Sequence, residues 1–157
     1  MDGETALAPL IFRPESFFLG RTEGWAEARP LVGGASRRAR VVTEGHLEEP
    51  YGALHVDETF EWETGGVEVW RWVMTRGLDG RYVASEALAG AGIVGRHEGD
   101  DYFLNFRRPL NPKSRLIRAG YATRFSMLSP KVAVKRVRMS LAGLPLAVMV
   151  AEHHRRD

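Results

Sequence analysis

The sequence predicts an all-β protein, an antiparallel up-and-down β-barrel of about eight to ten strands. At 157 residues the chain has the size of one domain, so we predict a single barrel domain over residues 1–157. Short alternations of apolar and polar residues recur between turns that contain glycine or proline, and no convincing amphipathic helix connects them. Consecutive hairpins place each strand beside the previous one, and closure of the sheet removes its exposed edges.

The elements follow one another in a simple order. Residues 1–16 are predicted to be an irregular lead-in, residues 151–157 a frayed polar tail, and a short helix near 126–134 is an alternative to strand there. The predicted strands span about 17–28, 36–47, 54–62, 67–75, 81–88, a short stretch within 90–95, 102–107, 115–127, 131–140 and 146–150. A phase shift in the alternation within 131–140 indicates a bulge or a turn of strand direction.

The third strand has the clearest pattern. Its residues alternate between an apolar and a polar face from Leu54 to Trp62, which is the two-residue period of a half-buried strand. Gly65-Gly66 follows and predicts a tight hairpin. Glu58 breaks the pattern, because it falls on the apolar face.

Composition excludes several functional classes. The net charge of +2 is too balanced to indicate a nucleic-acid partner. The absence of cysteine excludes disulfides, thiolate catalysis and cysteine-ligated zinc. Residues 1–10 lack the features of a signal peptide, and no apolar run reaches the roughly 18 residues of a membrane span. We therefore expect a cytoplasmic protein without a membrane span.

The stretch Phe17-Phe18-Leu19-Gly20-Arg21-Thr22-Glu23-Gly24-Trp25 resembles the opening motif of the DUF3833 proteins, a bacterial family of uncharacterised, lipocalin-like (calycin) barrels. Shorter motifs that resemble the family follow at 37–38, 54–60, 66–71, 79–82, 92–95 and 138–143. The resemblance implies a lipocalin-like barrel and little chemistry, since the activity of the family is not established. Residues 111–118 depart from it. The chain also lacks the cysteine and the signal segment that are typical of envelope lipoproteins in that family, so the resemblance does not imply membrane anchoring.

Glu58 is the candidate catalytic residue. A carboxylate between Val56 and Phe60 on one strand face must either meet water in a lumen or pair with a cation. A desolvated glutamate could serve as a general acid or base, because burial raises the pKa of a carboxyl group. The alternative, which is more common in proteins, is a structural ion pair with Arg71 or a neighbouring arginine.

Aromatic residues supply the candidate ligand contacts. Trp70 and Trp72 share a strand face and could line a pocket for a flat apolar ligand, although core packing explains them as well. Tyrosine hydroxyls could point into a lumen or lie at the rim, and Arg124 could bind a carboxylate unless it is simply solvated. The candidate ligand-binding residues are Trp70, Arg71, Trp72, Tyr82, Tyr121 and Arg124.

Other residues are predicted to be structural. Trp25 and Trp62 are expected to plug a barrel end, and the face of 102–107 that carries Tyr102 is expected to point inward. Basic residues within 131–138 are expected to be solvated. The histidines lack the spacing of metal ligands, and the Gly-x-Gly-x-x-Gly at 90–95 opens no helix, so no metal or cofactor is expected.

Three functions remain open from the sequence. The first is binding of a small hydrophobic or amphipathic molecule in the barrel. The second is a cofactor-independent enzyme of isomerase, cyclase or decarboxylase type that uses Glu58 in the lumen. The third is a structural or interaction domain whose lumen is filled, and a homodimer is left open in each case.

Overall fold

The computed structural model describes residues 10–50, 52–111 and 113–156, which form a closed barrel of ten antiparallel strands. Each strand pairs with its neighbours in the chain, and β1 closes the barrel against β10. The predicted all-β, up-and-down barrel is therefore confirmed. The elements are α1 (Pro14–Phe17), β1 (Gly20–Pro30), β2 (Arg37–Glu48), β3 (Ala53–Trp62), β4 (Val67–Arg76), β5 (Tyr82–Glu86), β6 (Gly90–Glu98), β7 (Asp101–Asn111), β8 (Ser114–Ser129), β9 (Val132–Leu141) and β10 (Leu144–Arg156).

Two parts of the prediction are wrong near the chain ends. The first strand was expected from residue 17, but 14–17 form the short helix α1, which Pro14 begins at a position where its missing N–H is no loss. The expected polar tail is the second half of β10 as far as Arg156, because residues 151–154 pair with both β1 and β9 and residues 155 and 156 pair with β1. Asp157 lies outside the described residues.

The region 126–134 is strand and not helix, since it contains the end of β8 and the start of β9. The register shift lies in β8, between Met127 and Ser129, and not within β9 as the alternation suggested. The Gly65-Gly66 hairpin is confirmed, and both glycines have positive φ angles that few other residues adopt.

An aromatic plug closes one end of the barrel. Phe12 is fully buried and stacks on Phe125 with ring centroids 4.6 Å apart. Its backbone is fixed by two hydrogen bonds, since its N–H donates to the Asp100 carbonyl at 3.0 Å and its own carbonyl accepts from His97 Nε2 at 2.6 Å. We use the name aromatic plug for Phe12, Phe17, Phe18, Tyr102 and Phe125. The opposite end, where the β3–β4 and β9–β10 hairpins lie, has no such plug among the described residues.

No helix in the described ranges combines the length and the apolar character needed to cross a membrane.

Candidate functional site

A cavity of about 410 Å³ lies inside the barrel at the end opposite the aromatic plug. It opens there, because its outer lining includes the exposed residues Ala35 and Leu110. Its walls are mainly apolar and aromatic. They are formed by Ala28, Pro30, Ala35, Arg37, Phe60, Trp62, Glu68, Trp70, Phe106, Leu110, Tyr121, Thr123, Lys135, Val137, Met139, Ala147, Val148 and Met149.

Two polar contacts mark the mouth of the cavity. The Arg37 guanidinium carbon lies 4.3 Å from the centroid of the Trp62 ring, a cation–π distance. On the same ring, Trp62 Nε1 donates a hydrogen bond to Glu68 Oε2 at 2.9 Å. Trp62 is thus a half-buried rim residue, and Trp25, with 61% of its surface exposed, is on the outer face. The prediction that both tryptophans plug a barrel end is wrong.

A buried ion pair forms the floor of the cavity. Lys135 Nζ lies 3.1 Å from Glu58 Oε1 and 3.0 Å from Glu58 Oε2, and the two side chains are only 8% and 4% exposed. Lys135 lines both the cavity and a much smaller void beneath it, of about 20 Å³, which Glu58 also lines. The expectation that Lys135 is solvated is therefore wrong.

The cation beside Glu58 is not the predicted arginine. Arg71 alternates with Trp70 and Trp72 along β4, so its side chain points outward, with its Nε 4.0 Å from Asp57 Oδ1. An arginine at an outward-facing position of β4 cannot reach the lumen. Lys135, in contrast, projects inward from β9 on the other side of the barrel.

A neutral polar cluster continues from the ion pair towards the closed end. His153 is completely buried, with Nε2 4.0 Å from Glu58 Oε2 and Nδ1 3.4 Å from Thr22 Oγ1. Thr22 Oγ1 in turn lies 2.5 Å from Thr43 Oγ1. Burial lowers the pKa of His153 to about 4, outweighing the opposite influence of Glu58. The imidazole is therefore uncharged near pH 7.

A second buried ion pair lies behind Trp70. Arg108 Nε is 3.1 Å from Glu86 Oε2, and the Arg108 guanidinium carbon lies 3.7 Å from the centroid of the Trp70 ring. Glu86 Oε2 also accepts hydrogen bonds from the backbone N–H groups of Leu88 and Ala89. This arrangement fixes the Trp70 side chain in the cavity wall.

Two buried polar atoms on residues that line the cavity have no hydrogen-bond partner in the described structure. They are Trp70 Nε1, a donor, and Thr123 Oγ1, which can donate or accept. Buried polar groups without a partner are rare in proteins and call for a physical explanation. A bound molecule that supplies the partner is one such explanation.

The structure brings together some of the predicted site residues. Trp70 and Tyr121 stand side by side in the cavity wall with ring centroids 5.5 Å apart, and burial raises the pKa of the Tyr121 phenol. Trp72 lines the small void beneath, next to Glu58. These four residues occupy one continuous region of the lumen.

The remaining predicted residues lie elsewhere. Tyr82 is buried near the aromatic plug, and its hydroxyl donates to Glu15 Oε2 at 2.6 Å. Arg124 is on the outer face in an ion pair with Asp101, and Arg71 is also exposed. None of these three lines the cavity.

Sequence reasoning missed Lys135, Arg108, Glu86 and His153. Arg108 could have been found, because it continues the inward alternation of Tyr102, Leu104 and Phe106, and the inward direction of that face is confirmed. Within the ranges described, no group of three or more His, Asp or Glu side chains is arranged to hold a metal ion.

Comparison with solved structures finds barrels of the same kind. A protein of unknown function from the DUF3598 family of Nostoc punctiforme PCC 73102 matches with a TM-score of 0.69 at 12% sequence identity, over 95% of this chain and 51% of that one. An S-type phycobiliprotein lyase from Guillardia theta matches with a TM-score of 0.64 at 9% identity, over 92% of this chain and 90% of that one. This chain thus spans about half the length of the first protein and most of the second.

No protein-family model and no curated protein matches the sequence. The resemblance to the DUF3833 proteins therefore stays a prediction. At identities of 9–12% the likeness to the two solved structures concerns the fold alone. What the comparisons establish is that the chain folds as a lipocalin-like β-barrel.

Proposed function

We propose that this protein binds a small amphipathic molecule inside the open end of its barrel. The observation that carries the proposal is the cavity of about 410 Å³, with an apolar, aromatic wall and a buried lysine at its floor. Cavities that hold small molecules have volumes of roughly 300–1,000 Å³ and combine apolar walls with a few polar groups. The resemblance to DUF3833 proteins is compatible with this role and adds no ligand.

The wall favours a flat ligand body. Phe106 and Tyr121 stack in parallel with ring centroids 5.2 Å apart, and Trp70 meets both rings edge-on. Rings in these orientations present flat faces and edges to the lumen, and a planar conjugated or aromatic molecule complements them. Trp70 is held in place by Arg108, so the site is formed before the ligand arrives.

The floor favours a hydrogen-bond acceptor without a net charge. Glu58 neutralises Lys135, so an anionic ligand would gain little net attraction from the pair. A lysine ammonium has three N–H donors, and the two contacts to Glu58 leave one for a further acceptor. Thr123 Oγ1 and Trp70 Nε1 add two more donors. A carbonyl or ether oxygen at the buried end of the ligand can accept from up to two of these donors, since it has two lone pairs.

Prodan, a flat, uncharged naphthalene ketone, is a suitable fluorescent probe because its emission reports polarity and hydrogen bonding to the carbonyl. We expect saturable binding of prodan, accompanied by a blue shift of its emission. Val137→Trp fills the cavity and should weaken binding at least about tenfold, whereas Val83→Trp, an exposed position on β5, should leave it unchanged. Thr123→Val should weaken binding about fivefold, since it removes one hydrogen bond of roughly 1 kcal/mol.

Thermal unfolding of each variant shows whether the barrel has remained folded, and Thr123→Val keeps the test meaningful if Val137→Trp unfolds. Absence of saturable prodan binding to the wild type argues against the proposal. So do equal affinities for the variants at positions 137 and 83.

The second candidate is a cofactor-independent enzyme of isomerase, cyclase or decarboxylase type. One observation favours it, namely the amine of Lys135 beside the carboxylate of Glu58 at the cavity floor. Native mass spectrometry of the protein from its own host would identify a bound molecule. Conversion of that molecule by the wild type and its loss in Glu58→Gln, with binding retained, would favour the enzyme.

A further inference from the structure

The charges of this chain are strongly segregated along the sequence. Residues 102–151 contain ten lysines and arginines and no aspartate or glutamate. The remaining residues contain twelve lysines and arginines and all twenty acidic residues. The overall net charge of +2 therefore conceals a strongly basic segment and an acidic remainder.

The fold turns this segregation into one basic wall. The segment forms nearly all of β7, the whole of β8 and β9, and the first half of β10, which are consecutive neighbours in the barrel. Two of its cations, Arg108 and Lys135, are buried and neutralised by Glu86 and Glu58. The others described near the mouth of the cavity are exposed, namely Arg107, Lys113, Arg118 and Arg138.

The same edge of the barrel exposes large aliphatic side chains. Leu110, Leu116, Ile117 and Leu144 are between 42% and 96% exposed. Strand register places them together, because Pro109 pairs with Arg118, Gly120 pairs with Ser140, and Leu144 pairs with Leu141. Single exposed aliphatic residues are ordinary, but a cluster at one edge indicates an interaction surface. We call this edge the basic lip, defined by Arg107, Leu110, Lys113, Leu116, Ile117, Arg118, Arg138 and Leu144.

We propose that the basic lip docks onto the surface of a membrane that contains anionic lipids. Aliphatic side chains enter the boundary between headgroups and acyl chains, and neighbouring lysines and arginines bind lipid phosphates. The alternation of these two residue types on one edge fits such a surface. Leu110 belongs both to the lip and to the cavity lining, so the docked barrel would hold its cavity mouth against the lipid.

Two other partners fit the lip less well. Nucleic acid is bound by basic residues together with aromatic side chains that stack on bases, and the lip has aliphatic residues in those positions. A second copy of the chain that met the lip with its own lip would bring two basic edges together, and like charges across an interface oppose association. Charge complementarity thus favours an anionic lipid surface.

Flotation of the full chain with vesicles tests the proposal. We expect binding to phosphatidylcholine vesicles with about 30 mol% phosphatidylglycerol, weak binding to phosphatidylcholine alone, and release as salt rises to about 0.5 M. Leu116→Ser and Arg138→Gln should each weaken binding about fivefold. The matched controls are Leu78→Ser and Arg81→Gln, exposed positions between β4 and β5 at the opposite end, which should bind as the wild type does.

Several results would overturn the proposal. These are binding that is equal on both vesicle types, loss of binding in the controls to the same degree as in the lip variants, and binding to an oligonucleotide in place of vesicles. Concentration-dependent dimerisation that Leu116→Ser abolishes would assign the lip to a second copy. The readout is independent of the proposed ligand, because Val137→Trp alters the cavity and should leave vesicle binding unchanged.

Discussion

Removing the cation from the cavity floor should strongly destabilise the barrel. Lys135→Met keeps an unbranched side chain of similar length but leaves the Glu58 carboxylate, which is 4% exposed, without its cation at 3.0 Å. Breaking a buried ion pair from one side typically costs about 3–5 kcal/mol of unfolding free energy. The local structure sets a ceiling on this cost.

The ceiling follows from the two ways in which the site can avoid a lone charge. Glu58 can take up a proton, which at pH 7 costs about 4 kcal/mol because an ordinary glutamate has a pKa near 4.3. Alternatively His153, at 4.0 Å, can become charged, which costs less than about 4 kcal/mol in this variant, because Lys135 is one of the groups that lower the pKa of His153 to about 4 in the wild type. The loss at pH 7 should therefore be at most about 4 kcal/mol. At pH 5 the cost of the first route falls to about 1 kcal/mol.

Urea unfolding at pH 7 and pH 5 measures this difference. Lys113→Met, at an exposed lysine, controls for the change of residue type and should alter stability by less than about 0.5 kcal/mol. Glu58→Gln combined with Lys135→Met should restore most of the stability, since no charge is left buried. A loss below about 1 kcal/mol for Lys135→Met at pH 7, or an equal loss at both pH values, would refute the reasoning, because it would mean that water solvates Glu58.

Two further predictions concern the other buried groups. Between pH 7 and pH 5 the wild type should lose about 2 kcal/mol of unfolding free energy through His153. In the unfolded chain this histidine binds a proton below about pH 6.5, whereas burial lowers its pKa in the folded protein to about 4. Acid therefore favours the unfolded chain in this range. Urea unfolding should show that loss disappearing in His153→Gln and persisting in His154→Gln, whose side chain is 45% exposed; an unchanged slope in His153→Gln would contradict the assignment. Glu86→Ala should lower the unfolding free energy by about 3–5 kcal/mol, because it leaves the buried Arg108 without its carboxylate partner and removes the acceptor of the Leu88 and Ala89 amides. Hydrogen exchange should accelerate at those two amides, and unchanged protection there would contradict the role of Glu86.

The fold was predictable because its signals are local. The alternation from Leu54 to Trp62 and the Gly65-Gly66 turn are each contained in a few residues, and a meander of hairpins requires no information about distant pairings. The ends of the chain were not predictable in this way. The polar residues of β10 are held in the barrel by pairing with β1, more than a hundred residues earlier, and nothing in their own composition indicates a strand.

Only one member of the ion pair at the cavity floor could be identified from the sequence. Glu58 stood out because it is a charge on an apolar face, but its partner lies 77 residues away on a strand whose apolar residues occupy both faces. Val132 and Val134 lie on one face of β9, and Lys135 and Val137 lie on the other face, which points into the lumen. A charged residue can be assigned to an interior only when the residue that neutralises it is known, and the register of a closed barrel supplies that knowledge.

The two buried ion pairs also explain how so uneven a distribution of charge can fold into one barrel. In each pair the acid comes from the acidic part of the chain, as Glu58 or Glu86, and the cation comes from the acid-free segment 102–151. Charges of one sign cannot be buried together, so the interior positions of that segment can carry a cation only where a strand of the other part faces it. The pairs thus join the two parts of the chain inside the barrel, Glu58–Lys135 across the lumen and Glu86–Arg108 over the intervening strand β6. A slip of one residue in the register of β9 would turn Lys135 outward and leave Glu58 without its cation. The surplus positive charge remains on the outer wall and at the basic lip, where water or an anionic surface can neutralise it.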